Sequence, residues 1–284
     1  MDLARNRLRK ARYLALELLL SRLHPRKPLK ILFSDEEGAK HLIQKGFSRT
    51  RHQVAFGKFT RDSVQEFDLL VPLTIADIDR LNGMRDLISK NPLPIPSDAS
   101  VRICDDKILF YQFLAANVFG DVTPRTDGAF AIPYLLKKRI DDTGRNSHFI
   151  LSREREKELL STVAEQEFFR QEIIPGRFEY ASHVLFMGGR IVRSLSFEYE
   201  MREDGLVKGQ EWPVEQRMIP CPFPDLFARI LNAIEFEGLC CIDYKIHEGR
   251  PYIMEINPRF GGSLRLYFFS YVRHLQFQPE PVST

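Results

Sequence analysis

Cysteine is scarce: four in 284 residues, at Cys104, Cys221, Cys240 and Cys241. None sits in a CxxC or Cys/His spacing, which argues against a zinc module or a disulfide-stapled secreted domain. Free thiols in a reducing cytosol are the expectation, and with them a cytoplasmic protein. Long hydrophobic runs are missing too. The most apolar stretch, Tyr13–Leu20, is broken by Glu17, lacks a small-residue cleavage site after it, and is far too short to cross a bilayer. There is no internal repeat and no low-complexity tract, and Gly and Pro are scattered. Net charge is small, +3. What remains is an ordinary globular composition, 44% hydrophobic and 28% charged, with ample apolar material for a core.

The small net charge hides an uneven distribution. Residues 1–30 hold nine Lys and Arg against Asp2 and Glu17, a balance of +7, so the remainder carries −4. The basic character therefore belongs to the N-terminus and not to a nucleic-acid-binding body, and no nucleic-acid partner is expected. Residues 2–24 read as a basic amphipathic helix ended by Pro25. Docking on the body of its own or a partner subunit is the favoured use, and contact with an anionic membrane surface the sharper one. Its separate charge and the Pro25/Pro28 break predict an appended segment, 1–28, dispensable for ligand binding.

Leu29–Ser34 and Asp68–Leu73 are short apolar runs that predict buried strands, with a helix over Glu36–Lys45 between them: a small βαβ-type lobe. Asn91–Pro96 predicts a linker or loop. Helical spacing covers Asp105–Asn117, a strand Tyr134–Lys138, and a Ser-capped charged helix Ser152–Gln166. From Phe168 the pattern turns to strands at Phe168–Ile174, Tyr180–Met187, Arg190–Tyr199, Leu239–Ile246 and Pro251–Asn257, with a helix over Pro224–Glu237. The fold class is α+β, with an antiparallel sheet in the C-terminal half.

The most informative segment is Leu239–Arg259. Two alternating strands flank His247-Glu248-Gly249-Arg250, a hairpin turn. Ile242, Tyr244, Ile246, Tyr252, Met254 and Ile256 form one face; Asp243, Glu255 and Asn257 form the other. A turn centred near Gly249 sets Asp243 opposite Glu255. Like charges so placed repel, and a divalent cation offsets the repulsion. Two carboxylates and an amide oxygen are hard ligands of the kind Mg²⁺ takes. A solvated polar face with one carboxylate turned away is the other reading.

Glu255-Ile256-Asn257-Pro258-Arg259-Phe260-Gly261-Gly262-Ser263 resembles the C-terminal signature of the ATP-grasp superfamily, most of all its biotin carboxylase and carbamoyl-phosphate synthetase branch, with D-alanine ligases as cousins. Gln171–Tyr180 resembles the family's hinge, Pro133–Lys137 the strand whose Lys reaches the ATP phosphates, and Asp106-Lys107 an earlier phosphate-binding basic residue. The resemblance runs in family order over 105–263. It implies that Asp243, Glu255 and Asn257 hold two Mg²⁺ ions, with Mn²⁺ an alternative, and that Arg259 positions the phosphoryl group or acyl phosphate. It also implies that Lys107 and Lys137 bind phosphate, that Glu172 with the backbone of Ile173 and Ile174 meets adenine, and that Glu179 binds the ribose. Arg193 and Lys208 are weaker candidates for the acceptor.

Three departures stand out. The loop Asp141–Ser147 holds one Gly where the family's lid is Gly- and Ser-rich, with Arg145 as an alternative source of charge. Lys138 follows Lys137, and by alternation only one can face the phosphates. The chain ends at Thr284, so neither a biotin-carrier nor an ammonia-tunnel module is expected. The implied organisation is an ATP-grasp fold with an N-terminal helix (1–28), a small α/β lobe (29–100), a lid subdomain (101–175) and a C-terminal antiparallel-sheet lobe (176–284). The implied activity is an ATP- and Mg-dependent ligase that activates a small carboxylate as an acyl phosphate and couples it to an amine or thiol. The alternatives are a kinase-like phosphotransferase or a weakly catalytic ATP-binding protein. A homo-oligomer is expected.

Overall fold

The computed structural model describes residues 2–23, 27–141, 146–204 and 211–275. After α1 (Asp2–Leu23), the N-terminal lobe runs β1 (Lys30–Phe33), α2 (Glu37–Phe47), β2 (Gln53–Phe56), α3 (Ser63–Glu66), β3 (Leu69–Val71), α4 (Ile75–Asn82) and α5 (Asp98–Asp105). Its three strands form a parallel sheet in the order β2-β1-β3. Leu69, Leu70 and Val71 are buried on both faces, as a parallel strand covered on both sides requires. A capping box starts α4, where Thr74 and Asp77 satisfy each other's backbone N–H groups. Of the two readings of 91–96, linker or loop, the segment is a loop, and it is packed: Leu93 and Ile95 are buried, and Pro94 O lies where a Cβ on Gly238, at a φ of 112°, would have to go.

α6 (Lys107–Ala116) leads to a lid built from β4 (Tyr134–Lys138), β5 (Ser147–Ile150), α7 (Arg153–Leu160) and β6 (Phe168–Gln171), with antiparallel order β5-β4-β6. The main sheet comprises β7 (Phe178–Met187), β8 (Arg190–Glu200), β9 (Glu215–Ile219), β10 (Gly238–His247) and β11 (Arg250–Asn257), antiparallel in the order β11-β10-β7-β8-β9. α8 (Pro224–Ala233) precedes β10, and α9 (Phe269–Val272) follows β11. Strand alternation divides the core in two. Ala181, Leu185, Phe197 and Cys241 join the N-terminal lobe and the C-terminal segment on one face, while Val184, Phe186, Cys240, Ile242 and Tyr244 pack with α6 and α8 on the other. The four cysteines are free thiols, and burial pushes the Cys104 and Cys240 thiols up.

The N-terminal helix is part of this core and not an appendage. Tyr13, Leu14 and Leu18 pack against the first cluster, and Tyr13 lies edge-on to Tyr267 and shares a hydrogen bond with Ser270 Oγ. Glu17, 3% exposed, accepts from Arg193 and Arg273. Asn6 and Arg9 donate to the backbone of Gln216 and Met218 on β9. The helix is also less one-sided than expected, with leucines on both its docked and its exposed faces.

Candidate active site

The β10–β11 hairpin brings Asp243 directly opposite Glu255. The route differs from a turn centred on Gly249. The loop is the two-residue turn Glu248-Gly249, both with φ near that of a type I′ hairpin (50° and 77°), and pairing outward from His247–Arg250 would set Asp243 against Met254. A bulge beyond Tyr244–Ile253 leaves Met254 unmatched and restores the Asp243–Glu255 pair. The bulge also re-aims side chains: Ile253 enters the core in place of Tyr252 and Met254, and Met254 turns to the cavity.

That cavity, about 340 Å³, lies between the lid sheet and the β7/β10/β11 edge of the main sheet. Period-2 alternation decides which lid residues line it. Pro133, Leu135 and Lys137 face inward along β4, as do Ser147, Phe149 and Leu151 along β5. Tyr134, Leu136 and Ile150 fill the lid's own core. Lys138 points the other way, to Glu167 at 3.1 Å, so Lys137 is the inward lysine. Its lining combines apolar side chains, among them Leu135, Phe149, Ile173, Ile174 and Met254, with the charged Lys137, Glu179, Asp243, Lys245 and Glu255.

Behind the charged lining lies further buried charge. Lys107, 4% exposed, stands 3.2 Å from Glu255 Oε2 and donates to Asp141 O. It is held there by the start of α6, where Asp106 caps Ile108 and Leu109 N–H and chelates the Arg139 guanidinium. Asn257 Nδ2 donates to both Asp243 (3.0 Å) and Glu255 (3.1 Å). Burial works against the ionised Glu255, but Lys107, Lys137 and Asn257 outweigh it and hold its carboxyl at about 2. Burial lowers Lys137, opposed by Glu255. The repulsion expected between the two carboxylates is therefore already offset by a buried lysine pair and one amide.

Several of the expected site residues lie away from the cavity lining. The Glu172 carboxylate accepts from Arg125 N–H, and its own N–H donates to Arg125 O; these bonds turn it away from the cavity, which Ile173, Ile174 and Gln171 line instead. Arg193 is committed to Tyr13 and Glu17 beneath α1, away from the cavity lining. Arg259 lies outside the cavity lining and donates to Phe260 O, beside Pro94 and Leu239 where the linker meets the sheet. Lys208 and Arg145 fall outside the described residues. Two contributors were not anticipated. Tyr111 OH on α6 donates to Met254 O (2.7 Å) and Gln171 Oε1 (3.1 Å), tying the hinge strand to the bulge. Lys245 donates to Gly176 O at the hinge turn and lines the cavity. Its place two residues after Asp243, on the same strand face, was the signal for it.

A small lid sheet over a five-stranded antiparallel sheet, with paired carboxylates and buried lysines between them, defines an α+β fold with one mixed apolar and charged cavity. The match to the ATP-grasp domain model spans residues 104–263, more than half of the chain, and the chain belongs to that family. Solved structures share the fold. Phosphoribosylamine–glycine ligase from Thermotoga maritima superposes with a TM-score of 0.62 at 17% identity, over 84% of this chain and 70% of that one. D-alanine–D-alanine ligase from Bacillus anthracis, complexed with ATP, gives 0.54 at 14% over 82% and 87%. L-amino acid ligase from Bacillus licheniformis gives 0.56 at 14% over 87% and 71%. At these identities the likeness is one of fold. An uncharacterized protein of Methanocaldococcus jannaschii is 29% identical over 93 residues, which are 33% of this chain and only 22% of that protein's length.

Proposed function

We propose that this protein is an ATP- and Mg²⁺-dependent ligase that joins a carboxylate to an amine. The observation that carries the reading is the pairing of Asp243 with Glu255 in one cavity with Lys137 and Lys245, with Lys107 buried behind Glu255. The donor set fits magnesium. Among the described residues no three His, Cys, Asp or Glu side chains make a metal cluster on their own. Asp243, Glu255 and the Asn257 amide oxygen would supply the protein's share, and nucleotide phosphates and water the rest, as is usual for this ion. When bound, Mg²⁺ supplies positive charge that polarises the phosphoryl oxygens. Leu135, Phe149, Ile173, Ile174 and Met254 sandwich the adenine, and the extended hinge backbone offers donors and acceptors to its edge. Glu179 accepts from the ribose hydroxyls. Lys107 and Lys137 release Glu255 and turn to the phosphates, where their charge stabilises the oxygens that become more negative as the γ-phosphoryl group moves. A substrate carboxylate oxygen attacks the γ-phosphorus, and ADP leaves. The amine nitrogen then attacks the acyl carbon, and phosphate departs with a proton lost from nitrogen. Four reduced thiols fit a cytoplasmic setting.

The test is a screen of carboxylates paired with amines for release of both ADP and inorganic phosphate. Release that requires both partners is the expected result. ADP without free phosphate identifies a phosphotransferase, and no product with any pair removes the catalytic reading. Within the same assay, Glu179→Ala is expected to raise KM for ATP about tenfold or more, the loss of one charge-assisted hydrogen-bond acceptor at about 1.5–3 kcal/mol, with kcat changed much less. An unchanged KM would mean the ribose lies elsewhere.

A further inference from the structure

The face of α1 that docks on the sheet accounts for Tyr13, Leu14, Glu17 and Leu18. It leaves leucines over. Leu8, Leu16, Leu19 and Leu23 are 51%, 54%, 53% and 64% exposed. On a helix of 3.6 residues per turn these four fall within an arc of about 80° and a length of about 22 Å. Arg12, exposed, interrupts that arc; Arg9, at its border, also reaches inward to Met218 O. Single surface leucines need no explanation, but four aligned on one helix form the kind of contiguous apolar strip that marks an interaction surface.

Charge selects the occupant. Residues 1–30 carry +7 against −4 for the remainder, and between residues 3 and 30 the one acid is Glu17, which is buried inward against Arg193 and Arg273. The outward surface of this segment therefore offers leucine and cation with no carboxylate from residues 3–30. A second copy placed face to face would bring +7 against +7. An anionic lipid headgroup layer meets both features at once, taking the leucine side chains into the acyl boundary and the arginines at the phosphates. Among the described residues no helix is long and apolar enough to cross a membrane, so the contact is one of lying on the surface. We propose that α1 docks this protein, by its outer face, on an anionic membrane surface. This does not depend on the reaction proposed above.

The experiment is sedimentation of the full chain with vesicles of phosphatidylcholine alone and of phosphatidylcholine with phosphatidylserine. Expected is binding about tenfold or more tighter to the anionic vesicles, weakening as salt is raised, and lost in Leu16→Glu/Leu19→Glu. Both leucines are exposed, so the variant should melt with the wild type; Arg12→Glu gives a second, milder loss. Equal or absent binding to the two vesicle types overturns the proposal. So does an undiminished response in the variants, or a lipid-free dimer by light scattering that Leu16→Glu/Leu19→Glu converts to monomer.

Discussion

Glu255→Gln is expected to abolish release of ADP and phosphate and, in the ligand-free protein, to lower the melting temperature. The loss of turnover follows from removing a carboxylate that lines the cavity. The loss of stability reverses what two opposed carboxylates alone would give. Glu255 stands against Lys107 at 3.2 Å, with Lys107 4% and Lys137 9% exposed. Removing the anion leaves two buried cations with less to oppose them, the costly half of a broken buried ion pair. The lysines hold the Glu255 carboxyl well below its ordinary value near 4.5, so the ionised group stabilises the fold at neutral pH.

The sign sets a pH test. A depressed carboxyl contributes its stability fully above its unfolded pKa and loses it as pH falls through the folded one. The gap in melting temperature between wild type and Glu255→Gln should thus be widest near neutrality, on the order of 5 °C. It should shrink as pH drops from about 4.5 toward about 2, where the wild type itself becomes neutral at this position. Mg-ATP should raise the wild-type melting temperature and raise the variant's far less. A variant that melts with or above the wild type at neutral pH would show that the carboxylate repulsion dominates the lysine pair. Near-normal turnover would remove Glu255 from the proposed chemistry.

Much of this was legible because strand alternation is local. The polar face of Asp243, Glu255 and Asn257 and the burial of β3 follow from residue spacing, whereas alternation showed only that one of Lys137 and Lys138 faces inward and not which. What was missed depends on tertiary partners. The three strands absent from the sequence reading, β2, β5 and β9, are all edge strands, where one flank meets solvent and the apolar signal fades. β9 is the clearest case, with Arg217 spending its charge on Glu198, Glu200 and Glu215. The bulge at Met254 has no signature in the sequence; it was found only because Asp243 and Glu255 face each other in spite of a tight turn. Glu172 and Arg193 looked available because charged residues carry no mark of the neighbour that claims them. Their owners, Arg125 and Glu17, lie 47 and 176 residues away.

The same kind of distant claim decides the fate of α1. Deleting residues 1–28 is expected to abolish soluble, cooperatively melting protein, contrary to the behaviour of an appended helix. The deletion uncovers Tyr267 and the apolar surface under Tyr13, Leu14 and Leu18. It also strips Arg193 and Arg273, 20% and 15% exposed at their side chains, of Glu17. Because a deletion that fails to fold says little about cause, Glu17→Ala isolates the charge. It keeps the helix and removes only the acceptor of the two guanidinium groups, at a cost of about 3–5 kcal/mol if neither arginine finds another partner. Added salt should restore little, since the pair is shielded from solvent. The cavity lies on other elements, so folded Glu17→Ala should keep its KM for ATP within a few-fold of wild type. Glu17→Ala with wild-type melting, or a 1–28 deletion that stays soluble and binds ATP normally, would show that the sheet closes its own face and that α1 is carried for its outer surface alone.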